Sequence, residues 1–436
     1  MRARLEKYFE FERLGTNWRT EILAGATTFV TMAYIIFVNP SILREAGMPF
    51  DSTLAATCLC AAFGSILMGV LARYPIALAP GMGLNAYFTY SVVKGMGVAW
   101  QTALGAVFIS GVVFLLLTAV GVRQLIVEAI PAELYAAVAA GIGLFIALIG
   151  LHNAGIIVAN PQTVAALGNL RAPHTLLALF GLLLIAGLLA WGVKAAMLIG
   201  ILATTLVGAA FRLIEWSPGG FHFYSISATA GKLDVRGAMS LGLLEIVFVF
   251  LFVDLFDNVG TLVGVSKKAG LFDSHDRIPR IHRILVADAS ATIVGSLAGT
   301  STVVSYVESA AGVVAGGRSG VTAIVAGVLF LVALAIAPLA GAIPGAATAP
   351  ALIVVGSMMM SNVAEIRWSD PAVAIPAFLT LAGIPLTFSI ANGLALGFTA
   401  YALIKLARGQ WRGTSPLVWV LAGLFLVRFY YLARGG

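Results

Sequence analysis

The chain has 436 residues, 60% of them hydrophobic and only 10% charged, with a mean hydropathy of +1.00. Soluble domains carry about 25% charged residues, so this composition belongs to a polytopic membrane protein, with the lipid bilayer as its solvent. A formal charge of +7 would suit nucleic acid. The Lys and Arg residues, however, stand in short stretches between apolar runs, which is an orientation signal and argues for no nucleic-acid partner.

The opening Met1–Trp18 is charged with mixed sign and lacks a short apolar core with a small-residue cleavage site. The first apolar run, 22–38, therefore reads as a true span. Runs of bilayer length follow at about 52–72, 76–91, 99–120, 132–151, 175–192 and 195–211. After a polar loop from Arg212 to about Met239, a second set lies at about 241–265, 282–298, 300–316, 320–342, 346–361, 371–388 and 390–406. Seven and seven make 14 spans. A last run, Leu417–Leu432, carries Arg428, Tyr430 and Tyr431, and the sequence leaves open whether it spans or lies in the interface. With the N-terminus in the cytoplasm, cytoplasmic segments hold 18 Lys and Arg residues, Arg13, Arg73, Arg123, Arg277, Arg280 and Arg318 among them. The opposite side holds 6, from Arg44 to Arg236. That asymmetry supports the span count and the orientation. An odd number of spans per half makes the halves inverted relative to each other.

Spans three and ten are irregular. The third, Tyr74 to Phe88, is interrupted by Pro75, Pro80, Gly81 and Gly83; the tenth, Gly299 to Gly312, mixes Thr300, Ser301, Thr302 and Ser305 with small residues. Each reads as an extended stretch leading into a half-helix, which is tolerated at membrane depth where it lines a cavity. The competing reading is an ordinary helix kinked at its prolines.

Four acids sit within apolar runs: Asp254 and Asp257 in span eight, Asp288 in span nine and Glu308 in span ten. An ionised Asp near the centre of a membrane helix costs roughly 2.5–3.5 kcal/mol, so four without partners would cost on the order of 10 kcal/mol. They are expected to face a protein-lined cavity on the path of a polar substrate. Asp254 and Asp257 are three apart and share a helical face, where two like charges cannot both be held cheaply; one of them is suited to carry a coupled proton. The alternative is a buried structural acid, and it weighs more for Asp254 and Asp288. Asp257 and Glu308 each adjoin a small-residue turn, Val259-Gly260-Thr261 or Ala310-Ala311-Gly312.

Enzymatic chemistry finds no support. Gly81-Met82-Gly83 lacks the strand–helix setting of a dinucleotide loop, and a protease dyad needs two acids from separate helices. His152, His174, His222, His275 and His282 form no ligand set, so no metal or cofactor is expected, and Cys58 and Cys60 point to different faces of one helix. Internal similarity aligns Phe29-Val30-Thr31 with Phe252-Val253-Asp254 at an offset of 223 residues, which also carries Tyr34 onto Asp257 and Asn85 onto Glu308. Inverted repeats of this kind are a common transporter plan.

Five motifs carry a resemblance across almost the whole chain: Thr27 to Ile35 with Asn39-Pro40, Ala79 to Phe88, Phe252 to Leu262, Thr300 to Gly312, and Pro385 to Gly393. In these the chain resembles the nucleobase–cation symporter superfamily of xanthine/uracil permeases, and most closely its AzgA-like hypoxanthine/adenine/guanine branch. The resemblance implies an all-α polytopic membrane fold of 14 spans in two inverted seven-span repeats, with short antiparallel β strands in spans three and ten. It implies a core domain of residues 1–120 and 212–342 (spans 1–4 and 8–11) and a gate domain of 121–211 and 343–436 (spans 5–7 and 12–14, with the apolar tail). The implied activity is proton-coupled uptake of adenine, guanine or hypoxanthine across the cytoplasmic membrane, with a co-transported proton and no cofactor. A homodimer is left open.

By motif position, Asp257 corresponds to the substrate-binding acid of span eight, Glu308 to the binding group of span ten and Asn85 to the contact from span three. Tyr306 and Thr31, the latter the repeat counterpart of Asp254, complete the implied binding set. Asp254 and Asp288 correspond to acids that support the site and handle protons. Thr261 stands where uracil relatives carry a histidine, which shifts the proton-coupling role here toward Asp254 or Asp257. The chemistry agrees: a purine presents ring N–H donors to which ionised carboxylates are strong acceptors, Asn85 can donate and accept, and Tyr306, Tyr87, Phe88 and Phe256 are candidates to stack on the ring. The alternatives are a uracil, xanthine or urate permease of the same superfamily, or an anion exchanger of related architecture. The latter would favour a central Arg or Lys over four acids.

Overall fold

Lipid offers no hydrogen-bond partner to a peptide group, so a chain this apolar must satisfy its backbone internally. The computed structural model, which describes residues 2–121, 130–214, 224–240, 244–271, 278–340 and 343–435, does so mostly with helices. Two short helices, α1 (Arg2–Tyr8) and α2 (Phe11–Leu14), precede the first span, which is α3 (Trp18–Met32) and α4 (Ile35–Arg44) joined by a turn at Ala33 and Tyr34. The second, α5 (Phe50–Leu67), widens into a π-helical turn at Met68–Ala72. The third is broken into a strand, β1 (Leu78–Pro80), and α6 (Met82–Ala86), which runs on in wide turns through Tyr87–Gly95. Then come α7 (Trp100–Ala119), α8 (Ala132–Asn153), a hairpin of β2 (Ile157–Asn160) and β3 (Val164–Leu167), α9 (Pro173–Ala190) and α10 (Ala196–Ala210).

The second half holds a single-turn α11 (Val235–Ala238), α12 (Leu244–Ala269) and α13 (Ile281–Ala298). Another broken span follows, β4 (Val303–Ser305) with α14 (Ser309–Val314). The chain ends with α15 (Gly320–Ala340), α16 (Gly345–Met359), α17 (Pro371–Leu386), α18 (Ile390–Ala407) and α19 (Pro416–Gly435). Among the described residues ten helical stretches are long and apolar enough to cross a membrane. Three apolar helices, α10, α17 and the terminal α19, are shorter; counting α10, α17 and the two broken spans with the ten is consistent with the fourteen expected from the apolar runs. The terminal run is also helical. The β2–β3 hairpin lies in a loop where the sequence suggested no element, turning at Asn160, whose Oδ1 accepts from the backbone N–H of Gln162 and Thr163. Arg123, His222, His275 and Arg277 lie outside the described residues.

Contacts divide the chain into two compact units, one of Met1–Ala119 and Gly150–Leu352, the other of Val120–Ile149 and Ile353–Gly436. By this division α9 and α10 group with the first unit, where α10 touches α3, although the resemblance assigns spans six and seven to the gate. In the first unit an apolar core joins Met68, Tyr74 and Leu78 to Leu262, Val265, Ile284 and Val303, so α5, α12, α13 and both short strands share one interior. Next to it α15 approaches the end of α5 at a crossing of two glycines. A Cβ on Gly69 would lie 2.4 Å from the Gly320 carbonyl oxygen, and one on Gly320 would lie 2.0 Å from that of Gly69. Small residues at such crossings let membrane helices gain dispersion contacts. Glu21 on α3 is fully buried, and its carboxylate accepts from the backbone N–H of Arg318 (3.0 Å) and Ser319 (3.2 Å) and from the Thr322 (2.6 Å) and Thr16 (2.8 Å) hydroxyls. It therefore caps the start of α15.

In the second unit Arg367 pairs with Glu133 at 2.5 Å and Arg408 with Asp370 at 2.9 Å. Arg428 donates to the Asn392 side-chain oxygen at 2.8 Å and seats α19 against α18, while Val420, Leu424 and Val427 face outward.

Contacts within the first unit also show which connections share an end. Glu10, before α2, binds Arg73 at the end of span two (3.0 Å) and Arg280 at the start of α13 (2.9 Å), with Arg13 beside them. At other junctions Lys94 meets Glu45, Asp234 takes the Thr102 hydroxyl, and Asn153 bonds Tyr90. This grouping matches a chain that alternates direction at every span through the two broken ones.

Burial acts to raise the Glu10 carboxyl, but Arg280, Arg13 and Arg73 outweigh it and hold the group below its ordinary value of 4.5. A carboxyl lowered on folding stabilises the protein above its unfolded-state value, and that contribution is lost as pH falls through the folded-state value. Glu10→Gln should therefore destabilise the purified protein at pH 7 by about 1 kcal/mol or less, because the network is partly solvated, and so lower its thermal midpoint. The difference from wild type should close as pH drops below the carboxylate range. A difference that stays constant down to pH 3 would assign the effect to packing and not to charge.

Candidate functional site

Breaking a span exposes peptide groups at membrane depth, each worth several kcal/mol if left unpaired. Spans three and ten answer this by pairing with each other. Pro80, which has no N–H to give, and the β-branched Val303 and Val304 hold the chain extended. β1 and β4 run antiparallel with Leu78 opposite Ser305, Ala79 opposite Val304 and Pro80 opposite Val303. Two further bonds extend the ladder, Gly81 N–H to the Thr302 oxygen (2.9 Å) and Tyr306 N–H to that of Ala77 (3.0 Å). Side chains take up the outer edges. Ser65 Oγ receives the Leu78 N–H (2.9 Å) and donates back to the Leu78 oxygen (3.1 Å), and Ser309 Oγ receives the Ala77 N–H (3.0 Å). Thr292 donates to Val303, and Asn258 Oδ1 accepts from Ser305 N–H at 3.3 Å. The extended-strand reading of both spans is the one observed.

The acids gather where these strands end. Asp257, partly buried on α12, approaches Gly81: a Cβ there would lie 3.6 Å from Asp257 Oδ2 and 2.8 Å from the Val304 side chain. Only a residue without a side chain leaves that approach open. Glu308 is the residue before α14, and the Tyr34 hydroxyl donates to its Oε1 at 2.7 Å. Tyr34 is held at the turn between α3 and α4, so the first span is tied to the tenth. The Tyr306 hydroxyl donates to the Pro80 carbonyl at 2.6 Å. Thr31 donates within its own helix, to the Thr28 and Thr27 carbonyls at 2.8 and 3.1 Å, and lies 3.5 Å from the Glu308 carbonyl. Asp257, Glu308, Tyr34 and Tyr306 fall within electrostatic reach of one another, and Asp288 on α13 also acts on Asp257. Asp257, Glu308, Tyr306 and Thr31 are thus brought together around the strand ends.

The other residues named from sequence sit around this cluster. Asp254 is fully buried one turn before Asp257, and Asn258 Nδ2 donates to its Oδ1 at 3.2 Å. Since Asn258 also holds the Ser305 backbone, Asp254 is linked to β4 through one side chain. Asp288 is likewise fully buried, and Thr261 is buried one turn beyond Asp257. Asn85 lies in a buried polar network. Its Nδ2 donates to Asn39 Oδ1 at 2.5 Å, its Oδ1 accepts from Ser301, and Asn39 in turn donates to Thr57 (2.7 Å) and Thr300 (3.0 Å). Of the candidate stacking rings, Tyr87 and Phe88 pack against Phe250, and Phe256 packs edge-on against Phe252 at 4.8 Å.

Sequence reasoning gave no role to Asn258, Asn39, Ser65 or Ser309. A buried amide or hydroxyl costs less than a buried charge and does not stand out in a sequence until the backbone group it serves is located. The ladder centres on Ala79 opposite Val304, 225 residues apart, and the residues preceding the half-helices, Gly81 and Glu308, are 227 apart, beside the offset of 223 in the internal alignment.

A family model described as a permease family matches residues 19–400. The chain is 45% identical over 435 residues to the adenine permease AdeP of Escherichia coli strain K12, covering 98% of this chain and 96% of that protein. It is 44% identical over 440 residues to the guanine/hypoxanthine permease PbuG of Bacillus subtilis strain 168, covering 98% and 100%. Among solved structures, the transmembrane domain of the cyanobacterial bicarbonate transporter BicA superposes with a TM-score of 0.65 at 16% identity, covering 86% of this chain and 96% of that one. That last likeness is one of fold.

The Asn85 network generates a direct test. Asn85→Ala would leave Asn39 and Ser301 short of a buried partner, at a cost of about 1–3 kcal/mol. Ligand-free protein carrying the substitution should melt earlier than wild type. An unchanged melting midpoint would release Asn85 from its structural duty.

Proposed function

This chain belongs to the permease family, and from that premise we propose that it takes up purine nucleobases (adenine, guanine or hypoxanthine) across the cytoplasmic membrane together with protons. Relatives named for these purines match it over nearly their full lengths at 44–45% identity, which supports the cargo. The observation that carries the mechanism is the convergence of Asp257 and Glu308 beside Tyr34 and Tyr306 at the ends of two paired half-spans. Ionised carboxylates accept charge-assisted bonds from ring N–H groups. A site whose charged side chains are acids suits a flat neutral donor better than an anion.

In this reading Asp257 and Glu308 grip the N–H edges of the base, with Tyr306 and Thr31 lining the space. Asn85 acts from one layer behind, or turns to the base when the site fills. Asp254 and Asp288, fully buried beside Asp257, serve proton handling, with Thr261 as a polar neighbour. Tyr34 gives Glu308 a hydrogen-bond donor that a purine N–H can replace. The core would be spans 1–4 and 8–11 and the gate spans 5–7 and 12–14, with the N-terminus in the cytoplasm; a homodimer is compatible with this plan.

Cells or vesicles containing the protein should accumulate labelled purine, a protonophore should abolish the accumulation, and replacing sodium with choline should leave it intact. Sodium-dependent accumulation that survives the protonophore would overturn the coupling.

Asp257→Asn should weaken purine binding by about ten- to hundredfold, the scale of one charged hydrogen bond, whereas Asp288→Asn should lower transport rate with a smaller change in affinity. Equal binding by wild type and Asp257→Asn in a thermal-shift titration would remove Asp257 from contact with the base.

A further inference from the structure

Away from the strand ends, the first unit holds a cavity of about 320 Å3 where α2, the end of α12 and the residues just before α13 and α15 come together. Its wall includes Arg13, Leu14, Tyr74, Gly270, Arg280 and Arg318, none of which takes part in the site described above. Three guanidinium groups from separate stretches of chain share this wall: Arg13 from α2, Arg280 directly before α13, and Arg318 between α14 and α15.

Their positions are fixed from behind. Arg13 and Arg280 both bond to Glu10, at 2.6 and 2.9 Å. Arg280 lies over the Tyr74 ring at 5.7 Å, and the Tyr74 hydroxyl is pinned to the Pro279 carbonyl at 2.8 Å. Arg318 Nη1 donates to the Val313 and Gly317 carbonyls at 2.7 and 2.9 Å. A guanidinium has five N–H donors, so among the described residues these bonds leave further donors on each. Among the described residues, Glu10 binds three guanidinium groups of this corner, those of Arg13, Arg73 and Arg280, while that of Arg318 is held by two backbone carbonyls.

Guanidinium forks match the oxygens of phosphate in pairs, and clusters of them are the usual means of holding it. The volume is that of a small-ligand site, and basic recesses between membrane helices receive anionic headgroups. We propose that this cavity binds a phosphate-bearing anion, presented either by a free phosphate compound or by the headgroup of an anionic phospholipid. Occupancy would draw α2, α13 and the α14–α15 junction together, and two of the helices involved, α12 and α13, carry Asp257 and Asp288. The inference is independent of the identity of the transported base.

Full-length protein provides the test, with thermal unfolding as the readout so that transport plays no part. Inorganic phosphate is titrated in detergent against chloride at matched ionic strength. In parallel, nanodiscs of phosphatidylglycerol are compared with nanodiscs of phosphatidylcholine. Saturable stabilisation by inorganic phosphate identifies a free phosphate compound as ligand; stabilisation confined to phosphatidylglycerol identifies the headgroup. In either case Arg318→Gln should weaken the effect about tenfold or more. Leu14→Trp, which fills the cavity and keeps every arginine, should abolish it and covers the event that Arg318→Gln fails to fold. No stabilisation by either probe, or an effect that is the same in wild type and Leu14→Trp, overturns the proposal.

Discussion

The rest of this structure depends on how two breaks in membrane-spanning helix keep their peptide groups bonded. A lone extended segment at that depth would leave donors and acceptors unpaired, each at several kcal/mol. Here β1 and β4 take each other as partners, and Ser65, Ser309, Thr292 and Asn258 supply bonds along the outer edges. Because the strands can exist only as a pair, spans three and ten are placed against each other. The chain turns from strand to half-helix at Gly81 and Glu308, where Asp257, Tyr306 and Tyr34 converge.

The acids of this chain differ in company as well as in burial. Glu21 is fully buried, yet it accepts bonds from two backbone N–H groups and two hydroxyls and serves as the cap of a helix. Glu10 is held among arginines. Glu308 accepts from the Tyr34 hydroxyl and its own backbone N–H, and Asp257 approaches a glycine and another acid. Carboxylates saturated by fixed protein donors stabilise a fold. Carboxylates at membrane depth with fewer fixed donors are better placed to bind a ligand and release it.

A fold shared with a bicarbonate transporter at 16% identity says nothing of cargo, since one architecture hosts many chemistries. What separates cargoes is the charge and hydrogen-bonding sense of the side chains at the strand ends. Charged acceptors there suit a base rich in N–H, and the same plan with basic groups would suit an anion. The guanidinium-lined recess applies this rule in reverse, at the opposite sign and away from the strand ends.

Much was legible in the chain itself because the bilayer enforces a simple code. Apolar runs of a set length mark spans, Pro and Gly mark their breaks, and a carboxylate within a run is conspicuous because its burial is expensive. Asp254, Asp257, Asp288 and Glu308, and the extended stretches near Pro80 and Val303, could be named on those grounds. Which side chains become partners could not be, because partners lie far apart in the chain, from 47 residues for Asn258 and Ser305 to 274 for Tyr34 and Glu308 and 301 for Glu21 and Thr322, and meet only after the spans have packed. Nor could the register of the two repeats be read from a three-residue match, since the strand pairing and the half-helix starts are set by long-range backbone bonds. The cost of burying a group is local and can be read along a sequence. The bond that offsets that cost is a matter of distance, and only the tertiary structure supplies it.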